Sequence, residues 1–385
     1  MQVLQLDSRL KTSFRYSLYL FAAAMPFSIF ITQVAIGVLL LCWLGRIFIT
    51  KQLRFQKTGL EYAFLAYLIA ELIALVFSTN FGQSVIYLKR FLLIPIVYSL
   101  ASGIDNEKDL KTAIYIFIIS TGLYSLSGII SYIINPNVRV RHIQNSMTEG
   151  GITMLGALAA FTVAWFTKKI FWKIIFLSST IISIICLVLT ATRGSWLGFF
   201  VGIFIILFYL NKKILLMIPV MIVAFYFLLP ANFKTRVENI FNPNYRTNQY
   251  RLYWWSVGLK IFKDHPLVGI GDVSTGDMYD KYKDPGDKER IGHFHNNFVH
   301  IAVTLGGIGL AAFLYMTIAI FYRLWKIDKK TNYGWALAAL AMFVAFHING
   351  LFEWNFGDQE IITMIWFSLG LALVIKPAQY VKTAE

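Results

Sequence analysis

Long apolar runs broken by short polar turns set the rhythm of this chain. Residues 174–189, 214–229 and 301–321 carry no charge at all. Each approaches the ~20 residues that cross a bilayer as a helix. Read by length and apolarity, the pattern predicts twelve spans, at about 14–31, 33–49, 59–77, 84–101, 111–134, 150–167, 171–190, 195–210, 214–230, 297–321, 334–351 and 359–376. The first two are tightly coupled around Pro26 and Thr32-Gln33. The expected fold class is all-α: a polytopic integral membrane protein of about twelve transmembrane helices with one long hydrophilic loop. Its expected divisions are nine spans over residues 1–230, the loop 231–296, and three spans with a tail over 297–385.

Composition agrees with this pattern. The chain is 57% hydrophobic and 14% charged, where a soluble domain carries about 25% charged residues. A net charge of +15 would suit a nucleic-acid partner, but the basic residues follow membrane topology instead. With the N-terminus in the cytoplasm, the inner turns hold Arg46, Lys51, Arg54 and Lys57, then Lys108 and Lys111, Lys168, Lys169 and Lys173, Lys212 and Lys213, Arg323, Lys326, Lys329 and Lys330, and finally Lys376 and Lys382. The outer turns 78–83 and 352–358 hold no Lys or Arg. That is the positive-inside distribution; it puts the C-terminus in the cytoplasm too and predicts no nucleic-acid partner. Cys42 and Cys186 lie inside apolar runs and suggest neither a disulfide nor a metal site. Residues 1–15 are polar and basic, and the apolar stretch after them continues into a second span, so no cleavable leader is expected.

The outer face then owns the unusual chemistry. Residues 250–263 read as an amphipathic helix with Tyr253, Trp254, Val257 and Ile261 on its apolar side. Trp254 and Trp255 suit the membrane interface. Asp264-His265-Pro266-Leu267-Val268-Gly269-Ile270-Gly271 breaks that helix.

Arg193 sits at a turn between two apolar spans, and Arg251 lies three residues ahead of Trp254. The planar guanidinium fork suits phosphate groups. Lys89 and Arg90 fall inside a span, where a charge faces a cavity or a partner, or snorkels to headgroups. No G-x-x-x-x-G-K-[ST] loop is present, so ATP is not the expected ligand. His293, His295 and His300 resemble a metal cluster, but the spacing of five between His295 and His300 is not that of a helical zinc pair. There is no H-E-x-x-H and no Cys pair either, so no metal is expected. A single imidazole acting as general base fits better, with His295 best placed and His300 deeper. Glu353 could orient an arginine or a histidine, and the acids Glu353, Asp358 and Glu360 could equally belong to a packed cap with Trp354 and Phe356. Gly306, Gly307 and Gly309 permit close helix approach.

Several of these residues resemble the signature of the bacterial O-antigen ligases. His295-Asn296 is followed by Gly306-x-x-Gly309, and Thr192-Arg193-Gly194-Ser195, Arg251-x-x-Trp254 and His265-Pro266-Leu267-x-Gly269-x-Gly271 come earlier in the same order. Similar motifs occur in O-antigen polymerases and in some protein O-oligosaccharyltransferases. The resemblance implies a C-type glycosyltransferase-like fold and an active site on the periplasmic face of the bacterial inner membrane. It implies transfer of a glycan from undecaprenyl pyrophosphate to a sugar hydroxyl of lipid A–core, in lipopolysaccharide biosynthesis, with no cofactor. It carries an essential histidine onto His295 and essential arginines onto Arg193 and Arg251, and more loosely a donor-binding role onto Lys89 and Arg90. Asn296, Trp254 and Glu353 are the expected supporting residues. Partners would be the donor, the acceptor and membrane lipids. A glycolipid transporter is the rival reading, because intramembrane charges suit one too; the concentration of polar groups at one face argues against it.

Overall fold

The computed structural model describes residues 2–51, 56–136, 139–229, 231–240 and 242–374. Arg54, Lys376 and Lys382 of the charge pattern lie outside these residues. The described chain is all helical. Its α-helices are α1 (Gln2–Ala24), α2 (Ile29–Thr50), α3 (Glu61–Val76), α4 (Phe81–Tyr87), α5 (Ile94–Gly103), α6 (Glu107–Ile134), α7 (Ser146–Phe166), α8 (Ile170–Leu189), α9 (Arg193–Leu210), α10 (Ile218–Leu228), α11 (Ala231–Glu238), α12 (Arg246–Asp264), α13 (Gly276–Tyr282), α14 (Asn297–Lys326), α15 (Trp335–Asn349) and α16 (Gln359–Ala372).

Among the described residues, eight helical segments are long and apolar enough to cross a membrane: α2, the 81–103 segment (α4, a 3₁₀ turn at Leu88–Leu93, and α5), α6, α7, α8, α9, α14 and the 331–349 segment that contains α15. Each of the other four expected spans overlaps a helix that does not meet that measure. The helix α3 has 16 residues, α10 has 11 and α16 has 14, and the polar start of α1 dilutes its apolar part.

The centre of the bundle is α7, which is buried almost throughout, flanked by α9, α15 and α16. Small residues make this possible. Ala157, Ala159, Ala160, Ala338, Ala339 and Ala341 are fully buried, so backbones approach closely and dispersion contacts replace the hydrophobic drive that lipid removes. At one end, buried Arg46 ties α2 to Asp7 and Asp105 at 3.1 and 2.7 Å. The other end carries the described segments 139–145, 190–192, 231–240, 242–296 and 350–358.

The helix α14 is broken within its apolar run. Gly306 has φ of 66° and ψ of −167°, and a Cβ there would stand 2.3 Å from the Leu267 carbonyl. The break frees backbone groups that lipid cannot satisfy. The 265–271 segment satisfies them: Ile270 and Gly271 amides donate to Val303 and Thr304 carbonyls at 3.1 and 2.8 Å, and Gly307 and Ile308 amides donate to Pro266 and Leu267 carbonyls at 2.8 and 3.2 Å. The two glycine motifs therefore read each other. Gly269, at φ of 67°, would otherwise place a Cβ 2.5 Å from Thr304 backbone. The expected close approach at Gly306 is to a loop crossing a broken helix, not to an intact neighbouring helix.

The helix α12 buries Val257 and Ile261 in a small core with Ile270, Tyr279, Ile291, Phe294 and Val303. Its apolar side, assigned from the sequence to the membrane interface, thus packs against protein; Leu252 and Leu259 remain outward.

Candidate active site

The site forms where α14 begins. Phe294 is fully buried, and Asn296 caps α14 by accepting from the amides of Phe298 and Val299 at 2.9 and 3.1 Å. Between them His295 adopts a left-handed backbone, φ 47°. Such conformations cost about 1 kcal/mol or more in a non-glycine residue and gather at functional sites. The strain swings the imidazole away from the helix axis.

The 350–358 loop is zipped onto this helix start. Asn297 donates its backbone N–H to the Gly350 carbonyl at 2.7 Å and its side-chain amide to Asn355 at 2.6 Å. Asn296 donates to the Leu351 carbonyl at 3.0 Å. Buried amides so paired fix the loop rigidly. They bring Glu353 to His295: its two carboxylate oxygens stand 3.0 and 3.1 Å from His295 Nδ1, and one also accepts the Trp354 amide at 3.1 Å. Burial alone would raise the Glu353 carboxyl, but the hydrogen bond from His295 and the charges of His295, His293 and Arg251 together hold it below the usual range.

Two aromatic contacts complete the setting of the imidazole. Trp254 stacks on it with centroids 5.0 Å apart and planes 26° apart, and Tyr250 stacks on Trp254 in turn. His293 lies 4.2 Å away, centroid to centroid. Burial pushes His293 down to about 4, helped by the charge of His295 and opposed by Glu353. With Nδ1 turned to a carboxylate, the neutral His295 ring carries its proton there and leaves the Nε2 lone pair free to accept.

Arg251, one helical turn before Trp254, makes no ion pair among the described residues. Burial lowers its guanidinium from the usual value, and Glu353 opposes that shift. Arg193 lies near enough to Arg251 for their charges to interact. It donates to the Asn239 carbonyl, the Thr247 hydroxyl and the Asn248 side chain at 2.9, 2.8 and 2.7 Å, and packs over Tyr245 at 5.3 Å. These acceptors are neutral, so the Arg193 charge is oriented but not cancelled. The fold thus brings His295, Trp254, Glu353 and Arg251 together, with Arg193 beside them.

The other expected residues stand elsewhere. Arg90 is clamped by Asp272 at 2.6 Å and lies over Tyr87 and Trp354. Trp354 separates it from His300, whose buried ring is 3.9 Å from the indole centroid. Arg90 and Lys89 line a cavity of about 540 Å³ with Gln33, Tyr87, Phe356 and Gln359. Asn296 serves the backbone rather than the chemistry. The sequence pattern missed Asp272, which neutralises Arg90 from 182 residues away. It also missed that Glu353, 58 residues beyond His295, supplies a third metal-capable group beside two imidazoles; the donor atoms of His293, His295 and Glu353 lie within 4.8 Å of one another. Residue spacing along the chain does not reveal a cluster closed by a side chain 58 residues away.

The chain is 26% identical over 202 residues to a "Putative polysaccharide ligase" of Rickettsia conorii, 48% of this chain and 47% of the relative. It is 25% identical over 215 residues to one of Rickettsia prowazekii, 51% of each chain. The chain spans about half the length of these curated relatives. Residues 178–314 match a family model described as O-antigen ligase; this stretch holds Arg193, Arg251, Trp254, His295 and Gly306, while Lys89, Arg90 and Glu353 fall outside it. The resemblance read from the motifs is thus borne out over residues 178–314, which match the O-antigen ligase family model.

Proposed function

We propose that this protein transfers a glycan from undecaprenyl pyrophosphate to a sugar hydroxyl of lipid A–core, on the periplasmic face of the bacterial inner membrane, with both termini cytoplasmic. The observation that carries the reading is the His295–Glu353 pair, stacked on Trp254 with the Arg251 guanidinium near enough for its charge to act on Glu353.

In this reading the acceptor O–H gives its proton to His295 Nε2 as its oxygen attacks the anomeric carbon. The bond from that carbon to the donor phosphate breaks, and the pyrophosphate leaves with the electron pair. Glu353 fixes the tautomer and stabilises the imidazolium that forms, as the acidic member of a Ser-His-Asp triad does. Arg251 and Arg193 meet the charge growing on the leaving group, where preorganised donors lower a barrier most. Base and leaving group lie on opposite sides of the reacting carbon, so the configuration inverts. The glycosidic bond of the donor supplies the energy. Lys89, without an ion pair among the described residues, is a further cation for the donor; Arg90 is engaged by Asp272.

A deletion strain tests the acceptor. Polymerised glycan accumulating on its lipid carrier, with bare lipid A–core, supports ligation. Single repeat units still joined to lipid A–core would identify a polymerase instead. An unchanged lipopolysaccharide ladder would reject both.

A further inference from the structure

His293 takes no proton in the transfer chemistry above, yet it faces the same carboxylate as His295. Its Nδ1 lies 4.0 Å from Glu353 Oε1, and His295 Nδ1 lies 3.0 Å from the same oxygen. The backbone amide of His295 donates to His293 Nδ1 at 3.4 Å, so that nitrogen carries a lone pair, and a metal bound there replaces this long hydrogen bond. None of the three side chains is sealed from solvent: their exposures are 35%, 20% and 12%.

Two imidazoles and one carboxylate are the protein ligands of an open zinc site, with the fourth position left to water. Zinc bonds of about 2.0–2.2 Å in tetrahedral array separate the donors by about 3.3 Å, so small side-chain rotations suffice here. Imidazole donors favour zinc and neighbouring transition metals over magnesium or calcium.

We propose that His293, His295 and Glu353 bind one divalent transition-metal ion of the zinc class, and that its occupancy blocks the site. The block follows from the atoms. A metal on His295 Nδ1 moves the ring proton to Nε2, with no net change in protons. Nε2 then has no lone pair for an acceptor hydroxyl, and Glu353 is drawn to the metal. The binding half of this inference stands on geometry alone; the inhibition half rests on the proposed function.

The test uses the full-length protein purified in detergent micelles. Calorimetric titration with zinc should give one ion per chain, undisturbed by excess magnesium. His293→Gln and Glu353→Gln, checked for wild-type melting behaviour, should each weaken zinc binding by about tenfold or more. In transfer assays, saturating zinc should slow the wild type by about 100-fold. Measured against its own metal-free rate, His293→Gln should resist zinc. Absence of a stoichiometric site, or unchanged zinc affinity in both variants, overturns the site. Full transfer by the zinc-loaded wild type overturns the inhibition. Failure of the metal-free wild type to transfer glycan sinks the proposed function and leaves the binding result intact.

Discussion

Replacing Glu353 by Gln isolates the role of the carboxylate with little change in volume. His295 Nδ1 meets both Glu353 oxygens at 3.0 and 3.1 Å. A hydrogen bond to a charged group contributes about 1.5–3 kcal/mol, which at about 1.4 kcal/mol per decade is about a 10- to 150-fold effect. Gln does more than weaken the bond. Its amide can donate to Nδ1, which puts the ring proton on Nε2 and removes the base. The corresponding carboxylate-to-amide change in a Ser-His-Asp triad costs about 10⁴ in kcat. The loss should therefore lie between about tenfold and about 10⁴-fold, in kcat, with KM for the lipid-linked donor little changed. Steady-state transfer by the purified variant in detergent, with the Trp354 amide still satisfied by the Gln oxygen, measures it. A kcat within about twofold of wild type would refute the pairing as the source of reactivity.

Three further predictions concern the scaffold. Asn296→Ala removes a cap that accepts from two amides and a donor to the Leu351 carbonyl; it should lower stability by about 0.5–2 kcal/mol and, by loosening the loop that carries Glu353, also lower activity per folded molecule, and unchanged stability would contradict the cap. Gly306→Ala forces a Cβ against the Leu267 carbonyl at φ 66° and should cost about 1–3 kcal/mol or more, while Gly307→Ala, whose Cβ would meet only the Pro266 oxygen at 3.1 Å, should cost less; equal melting curves would contradict the docked break. Asp358 is raised well above its usual 3.8 by burial, with Glu360 adding and the Thr148 hydroxyl opposing. Its folded form holds a proton that the unfolded form loses, so its favourable share is complete below that pH and is lost as pH rises through the folded value. Asp358→Asn should therefore gain in melting temperature relative to wild type as pH rises from acid to neutral, and the reverse trend would contradict it.

Much of this was legible in the chain because membranes simplify the grammar. Uncharged runs of about 20 residues suit helices in lipid, and the span count with the loop charges led to the expectation that His295, Arg193 and Arg251 share one face. What escaped was set by distant partners. Arg90 looked available because Asp272 lies in the loop that docks on the broken helix. Trp254 looked interfacial because an aromatic face reads alike whether it meets lipid or protein; it meets His295. Glu353 was expected to orient an arginine or a histidine; that its partner is His295 follows from the Asn297–Asn355 pairing, which no local pattern encodes. Gly306 signalled close packing, but the sign of its φ, and hence the break in α14, came only from the fold.

The central claim is that His295 acts as the base of an inverting transfer onto a sugar hydroxyl. Its most direct test is single-turnover transfer by purified wild type and His295→Ala, with lipid-linked glycan of known anomeric configuration and lipid A–core as acceptor. The account predicts a product of opposite configuration from wild type and a rate reduced by about 10²–10⁴-fold in the variant. Retained configuration, or an undiminished rate in folded His295→Ala, would contradict it.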